Sequence, residues 1–277
     1  MLFKNLQHFL VCPECRIGRL EYVDYKFITS CCKKTYNIRE GQIIIFDTYL
    51  SGIPSVKTRD KQADKYLKHA KFPTQISIIR SWMSSLPSDL LSGLVLDLGC
   101  GPGPYTKMLV ELGFDNVFAV DSSIDSLIIN KEICSKYDKN VIYMLQDVRN
   151  IQFPDNSVSA LVMADFLQHI IGQKDREQFL IKVFKSLKSG GVFFLSFFNI
   201  NIKNYLKNDI SGSFSNGSIK YERLDYKEVI SSLPDNIIID KIIPMNIFNN
   251  SLYDKLVCYL PFSKFFSRMI VIQGRKV

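Results

Sequence analysis

Residues Val95-Leu96-Asp97-Leu98-Gly99-Cys100-Gly101-Pro102-Gly103-Pro104-Tyr105 form an apolar run that ends in an acid and passes into three alternate glycines. A short apolar run bounded by turn residues suits a buried strand. Glycine takes positive φ without strain and lets the backbone lie close to a ligand, so the stretch reads as a strand feeding a nucleotide-binding turn. The spacing is G-x-G-x-G, because Pro104 stands where a dinucleotide fingerprint would carry its third glycine.

A second apolar run, Val117 to Asp121, ends in an acid 24 residues after Asp97, with the helix-compatible segment Thr106 to Gly113 between them. This is one βαβ unit. An acid at the end of its second strand can accept ribose hydroxyls, which makes Asp121 the expected ribose ligand. A third run, Val141 to Leu145, leads into Gln146-Asp147-Val148. A fourth, Val158 to Met163, follows the turn Phe153 to Ser157 and opens into Ala164-Asp165-Phe166-Leu167-Gln168-His169. Ligands of open α/β sheets lie outside the carboxyl ends of the strands, so residues 164–169 are expected to face substrate. Gln178 to Leu187 has helical spacing, Lys188 to Gly191 closes it, and Val192 to Phe198 is a fifth strand. Asn236 to Ile243 and Met269 to Gln273 supply two more, after a helix over Leu224 to Leu233. The polar stretch Asn208 to Ser218 suits a mobile loop.

Asp97 with its glycines, Asp121 and Asp147 together resemble the motifs of class I S-adenosylmethionine-dependent methyltransferases of the methyltransferase domain 11/25 type, over about residues 55–277. The resemblance implies an α/β, Rossmann-like fold with a seven-stranded sheet, and S-adenosylmethionine as cofactor. It implies a cofactor set of Asp97, Gly99, Cys100, Gly101, Gly103, Tyr105, Asp121, Ser122, Asp147, Val148, Ala164 and Phe166. In it, Asp147 receives the adenine amino group and Val148 packs on the ring. Leu187-Lys188-Ser189-Gly190-Gly191 departs from the family's L-K-P-G-G at Ser189. The alternative is a plain tight turn with the three acids as caps or solvated side chains; several matches in register weigh against it.

Residues 1–48 are expected to form a small, separate, β-rich module. Cys12-Pro13-Glu14-Cys15 is a knuckle of the kind that supplies two thiolates to tetrahedral zinc, and fifteen intervening residues precede Cys31-Cys32. Leu20 to Ile28 alternates as a strand, and Tyr36 to Phe46 reads as a hairpin. The segment resembles a Trm112-like zinc ribbon, whose second knuckle is C-x-x-C; here Thr29 stands at its first position. The expected ligands are Cys12, Cys15, Cys31 and Cys32 of a structural zinc, with His8 as fourth ligand, or loss of the metal with the fold kept, as alternatives. So small a module has little core and favours a staple. Residues 49–90 are a linker, Ser51 to Ser55, and a helical lid, Arg59 to Trp82, on which Tyr66 is the candidate aromatic over the cofactor or a packing residue. The class I resemblance implies that residues 91–277 are the methyltransferase domain.

The net charge of +8 and pI near 9.0 permit an anionic partner without selecting one, and the lysines are scattered and form no basic stripe. No apolar stretch reaches the 18 or so residues of a membrane helix, and the N-terminus lacks signal-peptide character; a cytoplasmic location is expected. Disulfides are then disfavoured, and Cys100, Cys134 and Cys258 read as buried small residues. Leu252 to Phe266 mixes aromatics, leucines and lysines, as a lipid contact or a packed lid would. The sulfonium methyl is already activated, so alignment alone can contribute about 7 to 11 kcal/mol of barrier lowering. An oxygen acceptor also needs a base, and His169 is the candidate, with a capping or packing role as the alternative. A small-molecule substrate, such as a metabolite, natural-product or lipid intermediate, is preferred. A methyltransferase acting on rRNA or tRNA bases, with RNA as partner, is a second reading, although Ala164-Asp165-Phe166-Leu167 is not the N/D-P-P-Y of exocyclic-amine methylation. A non-catalytic partner protein that keeps the fold is a third.

Overall fold

The structure is a computed structural model that describes all residues but 1, 2, 5, 6, 16, 41, 70–72, 246–259 and 261; the side chains of 66–69, 73 and 74 are likewise not described. The expected lid aromatic Tyr66 and most of the Leu252 to Phe266 segment therefore lie outside it. The chain forms two compact units, residues 1–161 with 185–188, and residues 162–184 with 189–277.

In the first unit the single strand expected over residues 20–28 is a hairpin of β1 (Leu20–Val23) and β2 (Lys26–Thr29). Its turn residues Asp24 and Tyr25 both have positive φ, 46° and 61°, the backbone of a tight two-residue hairpin turn. β3 (Thr35–Arg39) and β4 (Ile43–Ile45) form the second hairpin where the sequence places one. Then follow helices α1 (Pro54–His69) and α2 (Pro73–Met83), strand β5 (Leu94–Leu98), α3 (Pro104–Glu111), β6 (Asn116–Asp121), α4 (Ile124–Cys134) and β7 (Asn140–Leu145). β5, β6 and β7 are parallel neighbours. Their apolar runs are almost entirely buried, as central strands covered on both faces require. Pro104 opens α3, where its missing N–H is harmless. Ser123 caps α4 by accepting from the Ser126 N–H.

The module expected to stand apart does not. β4 pairs in parallel with β7, Ile43 opposite Tyr143 and Ile45 opposite Leu145, so the sheet of this unit runs β1-β2-β3-β4-β7-β6-β5. The reason is burial: Ile43 and Ile44 are fully enclosed, and an unpaired edge of such residues would invite non-native pairing.

β8 (Val158–Ala164) carries the chain from the first unit into the second. Helix α5 (Gln173–Ser186) and β9 (Leu187–Phe198) follow. The expected turn at Lys188 to Gly191 is absorbed into the start of β9, with Gly190 at φ 75°. Next come α6 (Ile202–Leu206), β10 (Ser211–Phe214), β11 (Ile219–Glu222), α7 (Tyr226–Ser231), β12 (Ile237–Met245), α8 (Ser263–Phe266) and β13 (Met269–Lys276). β13 lies antiparallel between β9 and β12. All seven runs read as strands are strands. The mobile loop expected over residues 208–218 is largely a β10–β11 hairpin, because Phe214 stacks on Tyr221 with ring centroids 4.7 Å apart.

Ile44→Ala should lower the stability of the first unit by about 2–5 kcal/mol, seen as a drop in the urea midpoint followed by fluorescence of Trp82, the chain's single tryptophan. A module folding apart from the sheet would leave that signal unmoved.

Candidate functional site

The turn after β5 is anchored to β6. The amides of Gly99 and Cys100 both donate to the Val120 carbonyl, at 2.9 and 3.0 Å. The Asp121 carboxylate then accepts the Gly101 N–H at 2.9 Å on one oxygen and the Ser123 N–H at 2.9 Å on the other. Gly99, Gly101 and Gly103 all have positive φ. At Gly103 the requirement is also steric, since a Cβ would come within 2.3 Å of the Asn130 side chain. At Gly101 a Cβ would meet nothing within 4 Å; the turn opens there onto free space beside an acid, which suits a ribose with two hydroxyls.

Asp97 does not face that space. It is 1 % exposed, accepts the Thr106 hydroxyl at 2.6 Å, and Thr106 in turn accepts from Asn130 Nδ2 at 2.8 Å. This line of three side chains ties β5 to α3 and α4 beneath the turn. Burial, with Asp121 adding to it and Thr106 opposing it, lifts the Asp97 carboxyl from 3.8 to about 7. Tyr105 is also interior, its hydroxyl donating to the buried Gln75 of α2 at 2.6 Å, and burial raises the enclosed Cys100 thiol. Ser122 is half-buried. Its neighbour Ser123 donates its hydroxyl to Asp60 of α1 at 2.6 Å, which brings a carboxylate to the start of α4, where a helix favours negative charge.

After β7, Asp147 and Val148 are both part-exposed. The Asp147 carboxylate caps the short helical turn 148–150 by accepting the Arg149 N–H at 2.9 Å, and it pairs with the Arg149 guanidinium at 2.5–3.1 Å. Arg149 is well exposed, and a surface pair of this kind contributes at most about 1 kcal/mol, so an incoming donor can take its place.

In the second unit, Ala164 ends β8 and Phe166 packs edge-on against Phe179 at 5.5 Å, both nearly buried. Between them Asp165 sits at φ 57°, a conformation that costs about 1–3 kcal/mol for a residue other than glycine. It is held by its N–H to Ser196 Oγ and by the Ser196 hydroxyl donating back to its carboxylate at 2.6 Å. His169 Nδ1 lies 2.8 Å from the Lys220 carbonyl. A carbonyl can only accept, so Nδ1 carries the proton and the lone pair of the neutral ring is at Nε2. The loop is bolted down by Arg176, which is 7 % exposed, donates to the Ile170 carbonyl and pairs with Glu222 and Glu228. Beside His169, the buried Gln168 donates to the Asp165 carbonyl while its Oε1 has no partner in the described protein.

The four cysteines come together: the sulfurs of Cys12, Cys15, Cys31 and Cys32 all lie within 4.8 Å of one another. Zinc–sulfur bonds of about 2.3 Å in a tetrahedron give sulfur separations of about 3.8 Å, so the set fits zinc. Neighbouring Cys31 and Cys32 both reach the cluster because buried Thr29 closes the loop, exchanging hydrogen bonds with the Lys34 backbone at 2.9 and 3.0 Å. Gly18 is needed for the approach, as a Cβ there would lie 2.1 Å from Cys31 Sγ. The N–H groups of Gly18 and Ile17 hold the Cys15 thiol down at about 6. Among the described residues the cluster contains no histidine, and His8 packs on Phe9 at 4.0 Å.

Residues 95–191 match the family model described as a methyltransferase domain. The chain is 32 % identical over 107 residues to a carboxy-S-adenosyl-L-methionine synthase of Shewanella amazonensis, covering 37 % of this chain and 43 % of that protein. It is 21 % identical over 171 residues to a ubiquinone biosynthesis O-methyltransferase of Rickettsia bellii, covering 62 % and 69 %. The chain thus spans less than half the length of the first relative and about two thirds of the second. A crystal structure of an S-adenosylmethionine-dependent methyltransferase from Clostridium acetobutylicum shares the fold, with a TM-score of 0.57 at 16 % identity over 79 % of this chain and 99 % of that one. The fold is the α/β, Rossmann-like one of class I methyltransferases, enzymes whose methyl donor is S-adenosylmethionine. No described helix of the chain is long and apolar enough to cross a membrane.

The buried Asp97 makes a pH prediction for the first unit. Its folded-state pKa lies above its unfolded one, so the unfolded chain releases this proton first as pH rises. Its contribution to stability is present below about pH 4 and is lost as pH rises toward 7. Asp97→Asn should flatten that decline in Tm between pH 4 and 7, measured by thermal melting across the range.

Proposed function

We propose that the chain transfers a methyl group from S-adenosylmethionine to an oxygen of a small molecule. The observation that carries the reading is the Asp121 carboxylate at the open Gly101 turn, with part-exposed Asp147 and Val148 after the next strand. In this reading Asp121 takes the ribose hydroxyls, Asp147 the adenine amino group, and Val148 lies against the ring. When bound, S-adenosylmethionine supplies an electrophilic methyl on a sulfonium, and the protein's task is alignment and exclusion of water.

His169 is the proposed base. Its Nδ1–H is committed to the Lys220 carbonyl, which orients the ring and leaves Nε2 the basic nitrogen that removes the acceptor's hydroxyl proton. Gln168 Oε1, buried and unpartnered, is a candidate acceptor for a second substrate hydroxyl. The name of the Rickettsia relative, a ubiquinone biosynthesis O-methyltransferase, points the same way. The cysteine cluster is proposed to hold a structural zinc through Cys12, Cys15, Cys31 and Cys32.

Calorimetry should find S-adenosylmethionine and S-adenosylhomocysteine binding to the wild type and lost in Asp121→Ala; absence of heat at high wild-type concentration would sink the proposal. With an accepted phenol or alcohol, His169→Ala should lower kcat by about 10²–10⁴-fold while leaving S-adenosylhomocysteine affinity unchanged. Metal analysis should give one zinc per chain for the wild type and little for Gly18→Ala.

A further inference from the structure

We infer that Asp47 is a positioning residue for the adenine end of the methyl donor, holding the turn after β7 in shape from the strand that precedes it in the N-terminal hairpins. This rests on the donor-binding reading above.

Immediately after β4 the chain doubles over the end of β7. The amides of Phe46 and Asp47 both donate to the Leu145 carbonyl, at 3.1 and 3.2 Å. Asp47 then turns its carboxylate back to accept the Asp147 N–H at 2.9 Å, and two residues on Tyr49 accepts from Asn150 Nδ2 at 3.3 Å. From the opposite side, the Gln146 N–H donates to the Asp121 carbonyl at 3.0 Å. Two consecutive amides, Gln146 and Asp147, are thus gripped from the ribose strand and from Asp47 respectively. The residue between these grips and Val148 is Asp147 itself, whose carboxylate is assigned to the adenine amino group.

An ionised carboxylate accepting an amide N–H makes a charge-assisted bond, stronger than a neutral one. Burial raises the Asp47 carboxyl and the Asp147 N–H lowers it, so the bond compensates part of the cost of enclosing an acid close to a second acid. The clasp is rooted in the hairpins: Phe46 packs on Tyr36 of β3 with ring centroids 4.9 Å apart.

The test is titration of wild type, Asp47→Ala and Asp47→Asn with S-adenosylhomocysteine and with S-inosylhomocysteine, which has an oxo group in place of the amino group, with melting curves to establish that each variant is folded. The wild type should prefer the adenosyl compound. Asp47→Ala should bind it about tenfold more weakly, the loss of one such hydrogen bond, with its preference over the inosyl compound narrowed. Asp47→Asn, which keeps an acceptor oxygen, should recover most of both. A folded Asp47→Ala with wild-type affinity and preference overturns the inference, and so does an equal loss for the two compounds, which a merely structural role would give. A wild type that binds neither compound overturns the donor-binding reading itself.

Discussion

The cradle depends on the Asp121 carboxylate. Parallel strands leave their last amides without a ladder partner, and at the ends of β5 and β6 two loops depart side by side. One carboxylate accepts an N–H from each, Gly101 and Ser123, and so fixes the separation of the glycine turn from the cap of α4. The Asp97–Thr106–Asn130 line supports the same turn from beneath, with Gly103 lying against Asn130 because no larger residue leaves room. A carboxylate held in such a position is already oriented, so ordering it for any donor it meets would cost little free energy.

The second unit solves a different problem. Residues 164–172 leave a strand through a strained residue, Asp165, and must still hold an imidazole in one tautomer. Ser196 holds the strain and Arg176 holds the loop. Arg176 is buried while its partners Glu222 and Glu228 are part-exposed, so loss of both acids would leave an enclosed charge without an anion.

The strands were legible in the sequence because their composition is local: seven apolar runs with acids and glycines at their ends. Asp121, Asp147 and the glycines could be named because each belongs to a short motif. Asp97 shares the motif but faces the interior, a distinction between two sides of one strand end that spacing does not carry. Asn130, Gln75, Asp60, Asp47 and Arg176 act through contacts spanning 24 to 100 residues, and nothing near them in sequence marks them. The cysteines were legible as candidates, while the means by which adjacent Cys31 and Cys32 reach one point, the Thr29–Lys34 closure and the bare face of Gly18, needed coordinates. The small β-rich module is present as two hairpins, while its junction with the sheet was hidden for the same reason: β4 looks complete beside β3, and its second neighbour lies far along the chain.

That neighbour sets an order of events during synthesis. Ile43 meets Tyr143 across a hundred residues, and a contact of that span forms late because a long loop must close first. While the ribosome makes α1 to β7, the hairpins have no sheet to join and expose the flank that carries Ile43 and Ile44. A metal that closes the thiol cluster would let the nascent hairpins hold their shape through that interval, so that β7, once it emerges, pairs with a finished edge.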